Sequence, residues 1–161
     1  MKIYQFRSKQ FLPITISEAW EFFSNPNNLP KITPPWLNFE VTSKLPDKMY
    51  AGMIITYLVR PLLNIPTTWV TEITHVREPN FFVDEQRFGP YKLWHHQHHL
   101  KGRDKNVEMT DIVSYALPLD PLSRPINSLL VEKKVKGIFK FREKKLEELF
   151  PLVIASEVKQ P

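Results

Sequence analysis

Cysteine is absent from the 161 residues, and glycine is scarce, at four. The first absence excludes disulfide stapling and thiolate metal sites. No window approaches the roughly 18 to 20 apolar residues that a bilayer-crossing helix needs, so stable membrane insertion is not expected. Residues Met1 to Phe11 alternate polar and apolar side chains and lack the continuous apolar block of a signal peptide. A cytoplasmic location is the default expectation. Gly-x-Ser-x-Gly and a Gly-rich phosphate loop are also missing, which leaves no indicated nucleophile. The chain shows no internal repeat, no low-complexity tract and no linker long enough to separate domains.

What is present fits one domain with its own core. Apolar residues make up 42% of the chain, too many for a disordered segment. Residues 1–151 are expected to form the domain and 152–161 a flexible C-terminal tail. The formal net charge of +5 permits contact with anions. In the dense stretch Lys133 to Lys145, however, the lysines are interleaved with Glu132, Glu143, Glu147 and Glu148. That pattern describes a solvated helix face, and no nucleic-acid partner is expected.

Fifteen prolines cluster between periodic segments and mark loops. Lys2 to Leu12 alternates as a strand. Thr15 and Ser17 offer N-caps for a short helix over Glu18 to Ser24, with Trp20 and Phe23 on one face. Asn25-Pro26 stops that helix and starts a second short one. Strand signals recur over Leu37 to Leu45, Gly52 to Arg60, Thr67 to Val76, Phe81 to Phe88, Tyr91 to Lys101 and Asn106 to Leu117. Such short spacings favour consecutive antiparallel hairpins. The longest helix follows, over Asn127 to Phe150. The order is strand, two short helices, six strands, long helix: an α+β domain in which one amphipathic helix covers a curved sheet. That arrangement tends to leave a hollow suited to a small ligand.

The long helix places Val131, Val135, Ile138, Leu146 and Leu149 within about 60° of one direction, with Arg142 at the centre of that apolar stripe. A buried guanidinium needs an acidic partner, an anionic ligand or water. Two roles meet that need: a salt bridge that orients the helix, or an anchor for a ligand carboxylate, to which arginine is geometrically suited.

On the sheet, the apolar face Val107, Met109, Asp111, Val113, Tyr115, Leu117 should point inward, because successive side chains alternate. A four-residue loop, Gly102 to Lys105, would set His98 opposite Met109 and His96 opposite Asp111. The inner wall then holds Trp94, His96, His98, Asp111 and Tyr115. In Phe81 to Phe88, the face with Phe82, Asp84, Gln86 and Phe88 competes with the face Phe81, Val83, Glu85, Arg87, and the sequence leaves this open. If the first set faces in, Asp84 and Gln86 join the polar patch. Tyr57, Trp69, Trp36 and Trp94 are candidate pocket aromatics, and otherwise ordinary core. The loop Arg60 to Pro66 is a candidate part of the cavity rim.

His96 and His98 sit two apart on one face and are able to reach one zinc ion, with Asp111 as a third ligand. No further His or Cys comes from another element, and Trp94 and Met109 flank the pair, so the reading taken is of hydrogen-bonding pocket groups with no metal and no cofactor. His96 with Asp111 also forms half of a general acid/base device.

The chain resembles the START-like, helix-grip superfamily, also called SRPBCC and typified by the birch-pollen allergen. More narrowly, it is similar to bacterial ligand-binding members of that superfamily. The matching residues begin with Trp20-Glu21-Phe22-Phe23, Asn25-Pro26, Leu29 and Ile32-Thr33-Pro34. Gly52 to Tyr57, Trp69, Ile73-Thr74 and Phe82 to Gln86 come next. Gly89-Pro90-Tyr91 through Trp94 to His98 is the clearest stretch. Met109-Thr110-Asp111, Val113, Tyr115, Ile138-Phe139, Phe141-Arg142 and Leu146 complete the set. Leu100 departs from it, standing where phenylalanine is commoner. The resemblance implies a curved seven-stranded antiparallel sheet gripping a long C-terminal helix, with a deep cavity between them. It implies no single activity, since the superfamily spans carriers, allergen-type binders and polyketide cyclases or dehydratases. Some relatives resemble a domain fused to a nucleotide-sugar-epimerase-like domain, which is not present here. The resulting expectation is non-catalytic binding of a small amphipathic or acidic hydrophobic ligand. Its alternative is a cyclase- or dehydratase-like enzyme using His96 and Asp111.

Overall fold

The computed structural model describes residues 1–60, 65–126 and 130–152. The expected tail lies outside them except for Leu152, as does most of the Arg60 to Pro66 loop. The observed order is β1 (Tyr4–Leu12), α1 (Ile16–Ser24), 3-10 segments over Pro26–Ile32 and Pro35–Leu37, β2 (Glu40–Val41), β3 (Met53–Val59), β4 (Thr67–Arg77), β5 (Phe81–Phe88), β6 (Leu93–Arg103), β7 (Asn106–Ala116), a helical turn α2 (Arg124–Ile126), and α3 (Glu132–Leu149).

Local chemistry sets the boundaries. Thr15 and Glu18 form a reciprocal capping box, so α1 starts two residues before the expected Glu18. Asn25 accepts a hydrogen bond from the Asn27 backbone and opens the first 3-10 segment at Pro26. The expected strand Leu37 to Leu45 shrinks to the two residues of β2. Leu37 closes a 3-10 turn, and Asn38 adopts a left-handed conformation, φ 43°, which interrupts extended backbone.

All seven strands join one antiparallel sheet in the order β1-β7-β6-β5-β4-β3-β2. The β6–β7 hairpin closes through two residues rather than four. Asp104 takes φ 54°, and Arg103 pairs with Asn106. A left-handed residue lets a two-residue turn follow the twist of its strands. The register is therefore two residues from the expected one: His98 faces Asp111 and His96 faces Val113. Because the side-chain period is two, the inward set is unchanged.

α3 crosses the concave face. Val131 and Val135 pack with Val113, Tyr115 and Leu117, and Leu146 packs with Leu12, Leu100 and Met109. Phe139 meets Phe6 at 4.7 Å between ring centroids, and Gln10 donates to the Glu143 carbonyl. The helix thus leans on β1 and β7. Leu149, expected on the buried stripe, is 38% exposed at the end of the last turn. Phe150 takes over the packing there, edge-on to Phe22. With α3 held on the β1–β7 side, the inner faces of β3, β4 and β5 border open space.

Candidate functional site

A cavity of about 190 Å³ lies between α3, the Pro26–Ile32 segment and the inner faces of β3 to β6. Most of its wall is apolar, with Phe23, Ile32, Ile55, Val59 and Ile73 among the lining residues. Aromatic rings supply one side. Tyr57 stacks on Trp69 at 6.0 Å, and Trp69 meets Trp94 edge-on at 5.4 Å.

The polar part of the wall comes from register. β5 and β6 place Asp84 opposite His96, while β6 and β7 place His98 opposite Asp111. Side chains two apart on β6 share a face, so each carboxylate is directly across from one imidazole and diagonal to the other. His96 Nε2 lies 2.8 Å from Asp111 Oδ1, and its Nδ1 lies 3.2 Å from Asp84 Oδ2. His98 Nε2 lies 2.8 Å from the same Asp84 oxygen, and its Nδ1 lies 2.9 Å from Asp111 Oδ1. That last approach lacks hydrogen-bond alignment, and His98 Nδ1 has no hydrogen-bond partner among the described residues. The two rings lie 3.8 Å apart and Phe82 stacks on His98 at 3.9 Å.

His96, His98 and Asp111 are buried and Asp84 is half-buried, and their charges tune one another. Burial by itself would raise both carboxyl groups. The charge of His96 and hydrogen bonds from His96 and His98 overcome this at Asp84, and the hydrogen bond from His96 with the close approach and charge of His98 does so at Asp111, so each is held well below the usual carboxylate range. Burial would lower His96, but the charge of Asp84 and the hydrogen bonds that His96 donates to Asp111 and Asp84 raise it above its ordinary value.

Arg142 enters from α3. Its side chain is 12% exposed and lines the cavity, with Nη1 4.0 Å from Asp111 Oδ1 and the guanidinium carbon 5.0 Å from the Phe139 ring centroid. Its Nε is buried with no hydrogen-bond partner among the described residues. The ion pair is therefore long, and the donor set of the guanidinium is incompletely used.

Of the residues expected at the site, Tyr57, Trp69, Asp84, Trp94, His96, His98 and Arg142 line the cavity. Asp111 stands behind the two imidazoles, and Tyr115 belongs to the core with Val113 and Phe139. Gln86 is directed elsewhere: it accepts from the Tyr91 N–H at 3.2 Å and donates to the Tyr91 carbonyl at 2.6 Å, clamping the β5–β6 turn. Trp36 is 54% exposed and rests edge-on against Phe141 instead of lining the pocket. Thr71 was not singled out by sequence, yet it gathers the Tyr57 hydroxyl at 2.6 Å and the Trp69 indole N–H at 3.1 Å. Its alternation with Trp69 and Ile73 on one face of β4 was the available signal. On the outer face, Glu85, His95, Gln97 and His99 are linked in a hydrogen-bonded row.

Asp84, His96 and His98 each offer a ligand atom within 4.8 Å of the others. Two histidines and a carboxylate are a chemically sensible donor set for a divalent transition metal. Here those atoms already face one another in charge-assisted contacts, and the positive Arg142 stands beside Asp111.

No protein-family model matches the chain, and no curated protein matches it. Solved structures do. A START superfamily protein from Mycobacterium smegmatis superposes with a TM-score of 0.67 and 11% identity, over 90% of this chain and 98% of that one. Ginseng major latex-like protein 151 from Panax ginseng gives 0.65 and 12%, over 92% and 98%. A nucleoside-diphosphate sugar epimerase from Corynebacterium glutamicum gives 0.63 and 18%, over 89% of this chain but only 28% of its own length. At such identities the likeness concerns the backbone. The chain has the START-like helix-grip fold, with seven antiparallel strands curved around a C-terminal helix.

Proposed function

We propose that this protein is a non-catalytic binding module that holds a small amphipathic acid in the cavity under α3. The observation that carries the reading is Arg142: a nearly buried guanidinium on the cavity wall, with an Nε that has no hydrogen-bond partner among the described residues and a 4.0 Å approach to Asp111. A carboxylate or similar group would complete its hydrogen bonding, bidentate if geometry allows. Packing supports the same reading. An occupant of the cavity of about 190 Å³ would cover its largely apolar wall from water.

The proton-transfer alternative is less well supported. Both nitrogens of His96 face carboxylates, so neither is free to meet a substrate proton without first breaking a charge-assisted contact.

The test is calorimetric titration with two one-ring probes that differ mainly in charge: anionic 4-isopropylbenzoate and uncharged 4-isopropylbenzyl alcohol. Wild type is expected to bind both. Arg142→Leu is expected to weaken the anionic probe about tenfold or more and leave the neutral one within about twofold, the loss of one charged hydrogen-bonded contact. Circular dichroism and a urea melt establish that the variant is folded. Equal anionic affinity in a folded Arg142→Leu protein would overturn the anchor.

A further inference from the structure

We infer that the ligand is a small, essentially one-ring aromatic acid carrying a second oxygen acceptor, rather than an acyl lipid. This inference rests on the binding reading above and narrows it.

Size is the first argument. An apolar cavity of about 150 Å³ admits one benzene, whereas drug-sized ligands occupy about 300–1,000 Å³. At about 190 Å³, this cavity has room for a substituted single ring but not for a long acyl chain. The character of the wall is the second. Tyr57, Trp69, Trp94 and Phe82 are packed against one another or against His98 at centroid distances of 3.9 to 6.2 Å where they meet Trp69, Tyr115 or His98. Such rings present fixed faces and edges, which favour a planar aromatic partner. A flexible chain would instead lose rotamer freedom along its length on entering.

Hydrogen counting supplies the third argument. Trp69, Tyr57 and Thr71 all line the cavity. Between them they own three polar hydrogens, one on the indole nitrogen and one on each hydroxyl. The indole N–H donates to Thr71 Oγ1, and a single hydrogen serves the 2.6 Å contact between the two hydroxyls. One hydroxyl hydrogen is left over, on Tyr57 or on Thr71 according to which donates, and neither hydroxyl has a further partner among the described residues. Buried donors are normally satisfied. A ligand oxygen on the β3–β4 side of the cavity would accept this hydrogen while the acid group meets Arg142 on α3.

Calorimetric titration of the full chain tests this. The probes are 3- and 4-acetylbenzoate, each beside its isopropyl isostere, with palmitate for comparison. At least one acetyl acid is expected to bind about fivefold more tightly than its isostere, the usual yield of one hydrogen bond, with palmitate binding more weakly than any benzoate. The double variant Tyr57→Phe, Thr71→Val is expected to erase the acetyl preference while retaining both acids. Should that variant misfold, the wild-type isostere comparison still decides. Equal affinity for acetyl and isopropyl acids, or preferred binding of palmitate, would overturn the inference. If that binding still depended on Arg142, the acid-binding reading would survive. Binding of no acid at all, or binding indifferent to Arg142→Leu, would instead bring down the acid-binding reading.

Discussion

Asp84 on β5 and Asp111 on β7 hold the same two imidazoles, those of His96 and His98 on the strand between them. The arrangement needs three strands in fixed register, so it reports on the sheet as well as on the cavity.

Acidity is the first consequence. The folded-state pKa of His96 is raised, so its contribution to stability is fully present below the unfolded value of about 6.5 and is lost as pH rises through the folded value. Asp84 and Asp111 are held low, so their contribution is present above about 3.9 and fades only in strong acid. Urea midpoints measured from pH 5.5 to 9 are expected to decline upward from about pH 6.5. His96→Asn should flatten that slope. A wild-type slope that persists in the variant would assign it to another group.

Removing the Asp111 charge is the second. Asp111→Asn leaves His96 and His98 paired only through Asp84 and takes away the nearest anion of Arg142. Breaking a buried pair from one side costs about 3 kcal/mol. Asp84, whose side chain is 18% exposed against 7% for Asp111, should lose less as Asp84→Asn. Chemical denaturation of both variants ranks them, and the reverse order would show that Asp84 is the structural member.

The β5–β6 turn gives a third. Gly89 sits at φ 155°, and a Cβ there would lie 2.5 Å from Gln86 Oε1, the atom that accepts from Tyr91. Gly89→Ala must displace the Gln86 clamp and should cost about 1–2 kcal/mol, the usual penalty for losing a partly buried hydrogen-bonded contact. Gln86→Ala should reproduce much of that loss. If Gly89→Ala melts like wild type, the turn has another way to hold Tyr91.

Metal content makes a fourth. The donor atoms of Asp84, His96 and His98 are close enough for a cation, but a raised His96 favours the proton, and Arg142 adds positive charge nearby. Elemental analysis of purified protein is expected to give far less than one zinc per chain. Stoichiometric zinc whose removal by chelation lowers the melting temperature would reassign the cluster as a metal centre.

Much of this layout could be read from residue order. Alternation in the segments that become β6 and β7 identified the inward faces, because a two-residue slip leaves a period-two pattern intact. The slip itself was not legible, since nothing in Gly102-Arg103-Asp104-Lys105 announces that Asp104 will turn left-handed. Helical periodicity placed Arg142 among apolar neighbours, yet it overextended the stripe to Leu149. The inward face of β5 stayed ambiguous because both of its faces mix apolar and charged side chains, and because the β4–β5 ladder carries register shifts at Val70/Thr71 and Ile73/His75. Only the pairing with β6 settles it, and with it the role of Asp84 between two histidines.

The four tryptophans are unequally placed: Trp69 and Trp94 in the cavity wall, Trp20 in the core by α1, and Trp36 largely open to solvent over Phe141. Intrinsic emission therefore carries an optical signature of occupancy. Two indoles are positioned to be quenched or shielded by any guest, and the solvent-facing background is removable by changing a single residue, Trp36→Phe. Screening for guests can proceed label-free, on the light the chain already emits.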